Sequence, residues 1–279
     1  MSLRMPTEHG AWGLLAVPFF SAAAVAGVHS SEQLVPLLLA GVAILSLFLL
    51  RGSLEGASSW HAIFEPAHLG LAAAGAAAGF ALILLYDRYS LCALAASAGV
   101  LYLIQRALVV RHEGSKVLDA EERTRRVEKR SLEAELVGVV VLSHAAPAAW
   151  IAVRGHLDRT GAELWALNLL FFWGGVLYVK YRVRGLQTHR AFDGLRERVA
   201  FAWPVFLYHV ALAAFLAAWV LAESQSVMLI VAFLPGILRA LQLVVQLGNR
   251  FPIRRLGWSE VAHSVVFAVL LVLAYRTAG

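Results

Sequence analysis

Arg239 is a charged residue inside a long apolar stretch, so its side chain is a candidate for chemistry. Gln242 and Gln246 follow it at i+3 and i+7, which predicts a single polar face if the stretch is helical. Charge inside a bilayer is costly, and an intramembrane ionisable residue therefore indicates a functional site. We expect this face to point towards other helices. It would either bond those helices together or line a polar cavity for an anionic headgroup.

Histidines also occur in apolar stretches, at His144 and His209, and Glu260 precedes His263 by three residues in another. Haem ligation would need two histidines at matching depth on facing helices, a requirement that His144 and His209 could meet. A hydrogen bond from one helix to another accounts for a single histidine more simply. We therefore predict that these histidines bond to neighbouring helices.

A basic segment covers residues 180–190 and contains Arg182, Arg184 and Arg190. Positive charges of this kind anchor the cytoplasmic end of a membrane helix. Guanidinium groups also match the geometry of phosphate oxygens. The segment therefore predicts either a membrane anchor or a site for an anionic, diphosphate-bearing molecule.

Another polar loop follows the second apolar stretch. His61, Glu65 and His68 would share one face of a helix there and would suit a divalent metal. Pro66 argues against that helix, because proline lacks the backbone donor and disfavours helical geometry at Glu65. We predict no metal site, and the sequence identifies no cofactor.

The composition favours a membrane protein that carries these polar residues on helices. Sixty per cent of the residues are hydrophobic and 15% are charged, against roughly 25% charged in soluble domains. Cys92 is the only cysteine, which excludes an internal disulfide. The predicted fold is an all-α, polytopic membrane helical bundle that forms a single domain over residues 1–279.

The membrane helices are predicted from stretches of about 20 apolar residues. Nine stretches qualify. They are residues 11–29, 33–50, 68–86, 90–108, 134–153, 162–180, 200–221, 225–247 and 258–276.

The distribution of lysine and arginine predicts the orientation of these spans. Of the 24 basic residues, 19 fall on one side of the predicted membrane, four fall on the other, and Arg239 lies within a span. This asymmetry places the amino terminus in the cytoplasm and the carboxyl terminus outside. The net charge of +6 comes from basic residues in these loops, where the membrane topology accounts for them. We therefore expect no nucleic-acid partner.

The amino-terminal run Pro6-Thr-Glu8-His9-Gly10-Ala11-Trp12-Gly13, followed by Pro18, resembles the signature of the YwiC-like family of bacterial integral membrane proteins. Weaker similarities occur at Arg51, at residues 130–136 and at Arg182-Val-Arg184. The resemblance implies a bacterial cytoplasmic (inner) membrane protein. It does not imply a particular reaction.

The chain is also distantly similar to UbiA-type intramembrane prenyltransferases, which have nine spans and a cytoplasm-facing active site. That family uses two aspartate-rich motifs to hold magnesium on a prenyl diphosphate. The corresponding loops here contain Glu55 and Glu65 in the first, and Asp193 and Glu197 in the second. Because Mg²⁺ needs several carboxylates, the resemblance implies prenyl transfer that is impaired or replaced.

The leading hypothesis is a UbiA-like nine-helix bundle with a cytoplasm-facing cavity for an amphipathic anionic molecule, for example an isoprenoid diphosphate, or for a membrane lipid. The predicted ligand-binding residues are His9, Trp12, Arg51, Glu55, Glu65, Arg182, Arg184, Arg190 and Arg239.

Two other function classes stay open at this point. One is a transporter or lipid-handling protein, indicated by the Arg239 face and by Pro147 and Pro235 within spans. The other is a non-catalytic assembly factor for a membrane complex.

Overall fold

A computed structural model describes residues 9–55, 65–113, 120–187, 192, 194–223, 226–247, 249 and 252–277. These parts of the chain are α-helical and contain no β-strand. Ten helices follow one another along them. They are α1 His9–Ala26, α2 Ser31–Glu55, α3 Pro66–Leu84, α4 Ser90–Glu113, α5 Ala120–Ser143, α6 Ala145–Arg154, α7 Arg159–Gln187, α8 Leu195–Glu223, α9 Met228–Gln246 and α10 Ile253–Thr277.

Most of these helices are long and apolar enough to cross a membrane. Eight candidate spans meet that description within the described residues, and one of them combines the end of α5 with α6 over Leu132–Arg154. The remaining predicted span, residues 11–29, corresponds to the shorter apolar helix Gly10–Ala26. The predicted all-α, polytopic membrane bundle is therefore confirmed.

The span formed by α5 and α6 is interrupted near its middle. Pro147 has no N–H to donate to the carbonyl of Ser143, so the helical hydrogen-bond ladder is broken there. The chain turns at His144, and Ala148 N–H donates to the His144 carbonyl at 3.1 Å. Trp165 Nε1–H donates to Ser143 Oγ at 3.0 Å and supports the turn.

Contacts between Cα atoms divide the chain into two compact units. The first unit comprises residues 1–97 and 143–165, and the second comprises residues 98–142 and 166–279. The single domain expected from the sequence stays a prediction.

In the first unit, α6 packs against both α1 and α2, and α2 packs against α3. Residues 145–153 of α6 are all buried, and five of them are alanine. Small side chains allow helix backbones to approach closely, which drives packing between membrane helices. Within the same unit, Ala40 of α2, Leu82 of α3 and Ala152 of α6 form a buried cluster.

In the second unit, α9 packs against both α8 and α10. The buried cluster of this unit draws residues from the helices on either side of α9, with Val205 from α8 and Leu256 from α10. Leu243 and Leu247 contribute from the α9 end and are fully buried. The carboxyl-terminal part of α9 is thereby packed against two neighbouring helices.

The segment directly before the fifth span is also helical. α5 begins at Ala120 and continues without interruption to Ser143. Residues 120–130 therefore extend the membrane helix. Glu135, further along α5, is ion-paired with Lys180 of α7 at 3.0 Å.

Gly161, in the first turn of α7, should be intolerant of a side chain. A Cβ at this position would lie 2.5 Å from Cδ1 of the buried Trp150. We expect Gly161→Ala to lower the free energy of unfolding by about 1–3 kcal/mol through overpacking. Gly79→Ala in α3 is the matched control, because its Cβ meets nothing within 4 Å. Thermal unfolding in detergent would contradict this account if both variants behaved alike.

Candidate functional site

The most strongly polar arrangement within the described spans is an ion pair between α9 and α10. Arg239 Nη1 donates to Glu260 Oε1 at 2.5 Å, and Nη2 donates to Oε2 at 2.9 Å. The arginine side chain is 10% exposed and the glutamate side chain 20%. Both charges therefore lie largely out of solvent, joined by two parallel hydrogen bonds of the kind that gives such pairs their geometric specificity.

The two charges meet because α9 and α10 are consecutive packed helices. Arg239 is seven residues before the last residue of α9, Gln246, and Glu260 is seven residues after the first residue of α10, Ile253. At 1.5 Å per residue, each lies about 10 Å from its helix end. Arg239 is also only two residues from the midpoint of α9, Ile237, which confirms its predicted place near mid-span.

Tyr178 of α7 packs its ring against the guanidinium. The Arg239 Cζ atom lies 4.1 Å from the ring centroid, a cation–π distance. Tyr178 Oη donates to Gln246 Oε1 of α9 at 3.2 Å. The arginine is therefore held between a carboxylate and an aromatic face.

The predicted polar face is only partly correct. Gln246 is half-buried and bonded to Tyr178, but Gln242 is exposed. Each helical residue turns about 100°, which places Gln242 on the flank of Arg239 away from the buried Ala240 and Leu243. The prediction that Gln242 points towards other helices is therefore wrong.

The hydrogen bonds of two nearby histidines show which ring nitrogen carries the hydrogen. His209 Nδ1 lies 2.8 Å from the Val205 carbonyl, and His263 Nδ1 lies 2.6 Å from the Ser259 carbonyl. A carbonyl oxygen only accepts, so each Nδ1 carries the hydrogen and each neutral ring keeps a lone pair on Nε2. Both bonds are made to the residue's own helix, so the predicted helix-to-helix bonds are wrong for these two histidines.

His144 behaves as predicted. In the first unit its Nε2 lies 3.2 Å from Ser97 Oγ of α4. Ser97 Oγ donates to the Leu94 carbonyl at 2.8 Å, so its hydrogen is already used and the histidine donates to it. This contact joins two helices, and a serine whose hydrogen is engaged elsewhere is not arranged as a nucleophile with histidine as its base.

A small cavity lies beside the ion pair, and its interior of about 20 Å³ has room for one water molecule. Four helices of the second unit contribute to its wall. The lining residues are Phe171, Gly174, Gly175, His209, Leu212, Phe233, Gly236, Arg239 and His263.

Glycines keep this cavity open. A Cβ on Gly174 would lie 3.1 Å from His209 Nε2, and a Cβ on Gly175 would lie 3.6 Å from Glu260 Oε2. A Cβ on Gly236 meets nothing within 4 Å, so there is open space at that point. The backbone of α7 thus lies close to the Nε2 atom of His209 and to the Glu260 carboxylate.

Aromatic rings close another part of the wall. Phe171 stacks on Phe267 with centroids 3.9 Å apart, and Phe233 meets Phe267 edge to face at 5.1 Å. This apolar wall borders the polar side chains. It limits the water that can surround the ion pair, which strengthens the electrostatic interactions inside.

The arrangement is not explained by stability alone. Removing two charges from water costs several kcal/mol per ion, and a buried pair often contributes no more stability than apolar side chains of similar volume. Arg239 also already has a carboxylate partner, so an anionic ligand would have to displace Glu260. The geometry is better suited to transferring a proton or rearranging charge than to holding a large anion.

Comparisons with known proteins find a family match in the amino-terminal part of the chain. Residues 5–120 match the family described as YwiC-like protein. The predicted YwiC-like resemblance is therefore confirmed over α1 to α4. An uncharacterised protein of Haemophilus influenzae is 29% identical over 155 residues, which cover 54% of this chain and 56% of that relative. The match thus spans about half the length of the relative.

No solved structure matches the chain. The similarity to UbiA-type prenyltransferases consequently stays a prediction. The Arg239–Glu260 pair lies outside the YwiC-like match, since that match ends at residue 120.

Five predicted ligand-binding residues belong to the YwiC-like region and the first unit. Trp12 packs edge to face on Phe48 of α2 with centroids 5.1 Å apart, and Arg51 is half-buried on α2. Glu65 has extended backbone and is the N-cap of α3, with Pro66 in the first turn, as the proline predicted. His9 and Glu55 are the terminal residues of α1 and α2, and their side chains lie outside the described residues.

Four predicted residues belong to the second unit. Arg182 and Arg184 lie near the end of α7; Arg182 is 6% exposed, and Arg184 Cζ is 5.5 Å from the Tyr181 ring centroid. Arg239 belongs to the ion pair, and Arg190 lies outside the described residues. The structure brings Arg239 together with Glu260, Tyr178, His209 and His263, none of which was predicted as a ligand-binding residue.

Part of the signal for Glu260 was present in the sequence, because Arg239 and Glu260 are opposite charges inside consecutive predicted spans. The structure adds that α10 begins at Ile253, so that both charges lie seven residues from the facing helix ends. Antiparallel neighbours bring such positions to the same depth, and charges in membranes pair with one another. Tyr178 had no comparable signal, because α7 is not connected directly to α9 or α10.

The ion pair should show strong coupling in a double-mutant cycle. We expect Arg239→Met and Glu260→Met each to destabilise the protein by about 3–5 kcal/mol, because each leaves one buried charge alone. The double variant should recover most of that loss. Arg159→Ala is the control, since its partner Glu163 is one turn away on α7 and the Arg159 side chain is 66% exposed. That change should cost at most about 1 kcal/mol. Additive losses at residues 239 and 260 would contradict the proposed pairing.

Proposed function

We propose that this multi-pass membrane protein is a transport protein and that the Arg239–Glu260 pair lies on its translocation route. The supporting observation is a paired guanidinium and carboxylate within two spans, beside a cavity lined by two histidines. Ionisable residues inside membrane helices commonly mark the routes of ions and substrates, and they face a bundle interior or a water-filled cavity.

α9 has a weak point one turn before the ion pair. Pro235 cannot donate to the carbonyl of Val231, and Gly236 follows it directly. Helices bend at such positions. A bend at Pro235 would move Arg239 relative to Glu260, and transporters typically bind and release substrates through such interrupted helices.

The distribution of lysine and arginine supports an orientation for this transporter. We place it in the bacterial cytoplasmic (inner) membrane with its amino terminus in the cytoplasm and its carboxyl terminus outside. On this orientation, the connection between α9 and α10, which contains Arg250, faces the cytoplasm together with Arg254 and Arg255 in the first turn of α10.

Accessibility of a cysteine introduced in place of Gly236 tests the translocation route without knowledge of the substrate. Gly236→Cys is combined with Cys92→Ala, and vesicles of either orientation are treated with a membrane-impermeant, positively charged methanethiosulfonate. We expect labelling from both sides of the membrane, because a route must open to each side in turn. Leu238→Cys is the control, since Leu238 is 49% exposed on the outer face of α9 and should react from neither side.

The labelling pattern has two contradicting outcomes. Failure of the Gly236→Cys variant to react from either side would show that the cavity is closed to water. Labelling from one side only would show a one-sided binding pocket and would overturn transport through this site.

A second candidate function is binding of an amphipathic anionic molecule, such as an isoprenoid diphosphate, at the α7 arginines of a cytoplasm-facing cavity. The supporting observation is that Arg182 is 6% exposed although it carries a charge, with Arg184 two residues further along the same helix. Arginines at such positions match phosphate oxygens. A divergent prenyltransferase belongs to this candidate.

Binding of geranylgeranyl diphosphate to purified protein, with and without Mg²⁺, tests the second candidate. We expect affinity in the micromolar range that is lost in Arg182→Ala/Arg184→Ala, because the diphosphate would lose its guanidinium partners. Arg196→Ala controls for non-specific attraction, since Arg196 is an exposed cation at the beginning of α8. Absence of binding under both conditions, or an equal loss in Arg196→Ala, would rule out a specific diphosphate site.

A further inference from the structure

His209 and His263 line the same small cavity. Each Nδ1 donates to a carbonyl four residues earlier, which leaves Nε2 of each neutral ring as an acceptor. Both rings line the cavity that contains Arg239, and that cavity has room for one water molecule. Two rings that each keep an acceptor nitrogen therefore border a single water-sized space.

The charges around that space are balanced before any proton is added. Arg239 carries one positive charge and Glu260 one negative charge, and they are joined by two hydrogen bonds. Glu260 lies within electrostatic range of His263, and Arg239 lies within range of His209. A positive charge gained by His263 would therefore be attracted by the Glu260 carboxylate, whereas one gained by His209 would be repelled by Arg239.

The other titratable groups facing the centre can be named helix by helix. α7 contributes Tyr178 on the face of Arg239, with Arg182 one turn further along. α8 contributes Tyr208, whose hydroxyl donates to the Leu170 carbonyl at 2.6 Å. On α5, Glu135 is already paired with Lys180. Unlike these groups, His209 and His263 carry imidazole rings, the type of side chain that binds and releases protons near neutral pH.

We propose that His209 and His263 form a shared proton-binding site coupled to the Arg239–Glu260 pair, and that the ion moved or used by this protein is the proton. A proton delivered by water forms an N–H bond at Nε2 of one imidazole, and Glu260 stabilises the imidazolium when it is that of His263. Release returns the proton to water by breaking the same bond, and no electrons are transferred. This inference rests on the proposed transport function.

A metal cation fits this site less well than a proton does. Among the described residues, no group of three histidine, cysteine or carboxylate side chains is placed to hold a metal ion. A proton needs only one lone pair, which each histidine supplies.

Imidazole titration in lipid nanodiscs tests the proton site directly. ¹⁵N-histidine NMR spectra are recorded from about two pH units below to two above the ordinary value near 6.5. His209→Gln and His263→Gln assign the two signals, and His156→Gln, in the exposed loop after α6, is the control. We expect the loss of either histidine to move the other's midpoint by at least about one pH unit, because groups that share a proton titrate as a pair. Rings that stay neutral throughout, or titrate independently, would overturn the inference.

Proton flux in proteoliposomes separates this inference from the transport function. A potassium diffusion potential drives the flux, and an enclosed pH dye reports it. We expect at least a tenfold decrease in His209→Gln/His263→Gln and an unchanged rate in His156→Gln. Coupled titration without flux would overturn transport and leave the proton site intact. Flux that persists in the double variant, without coupled titration, would overturn the proton site and leave transport intact.

Discussion

The second unit depends on one constraint, which is that two opposite charges within membrane helices must stay in contact. An unpaired charge in hydrocarbon is costly, so Arg239 and Glu260 fix the register of α9 against α10. The ring of Tyr178 then covers the guanidinium and brings α7 to the same depth. Three helices are thus aligned by a pair whose own contribution to stability is small.

Glycine and proline provide space and freedom around this fixed pair. Gly174 and Gly175 leave open the part of the cavity between α7 and the polar side chains of His209 and Glu260. Pro235 and Gly236 weaken the hydrogen-bond ladder of α9 just before Arg239. A rigidly paired charge beside a deformable helix segment is a bistable arrangement, in which a change of protonation can be converted into a change of helix geometry.

The first unit follows a different physical principle. α6 is rich in alanine and wholly buried, so α1 and α2 pack closely against it and little polar bonding is required. The YwiC-like match covers residues 5–120, which include α1, α2 and α3 of this unit. The residues that the family signature brought to attention, such as Trp12, make packing contacts here. The buried ionisable centre lies elsewhere, in the part of the chain beyond that match.

The sequence by itself determined the helical membrane class, the approximate spans, the proline break near His144 and the place of Arg239 near mid-span. Those features depend on local composition and on the cost of charge in lipid, which are readable residue by residue. Only the tertiary structure decided the partners of Arg239, the exposure of Gln242 and the inward direction of His209 Nε2. These depend on which sides of neighbouring helices face each other, and a pattern within one helix does not specify that choice.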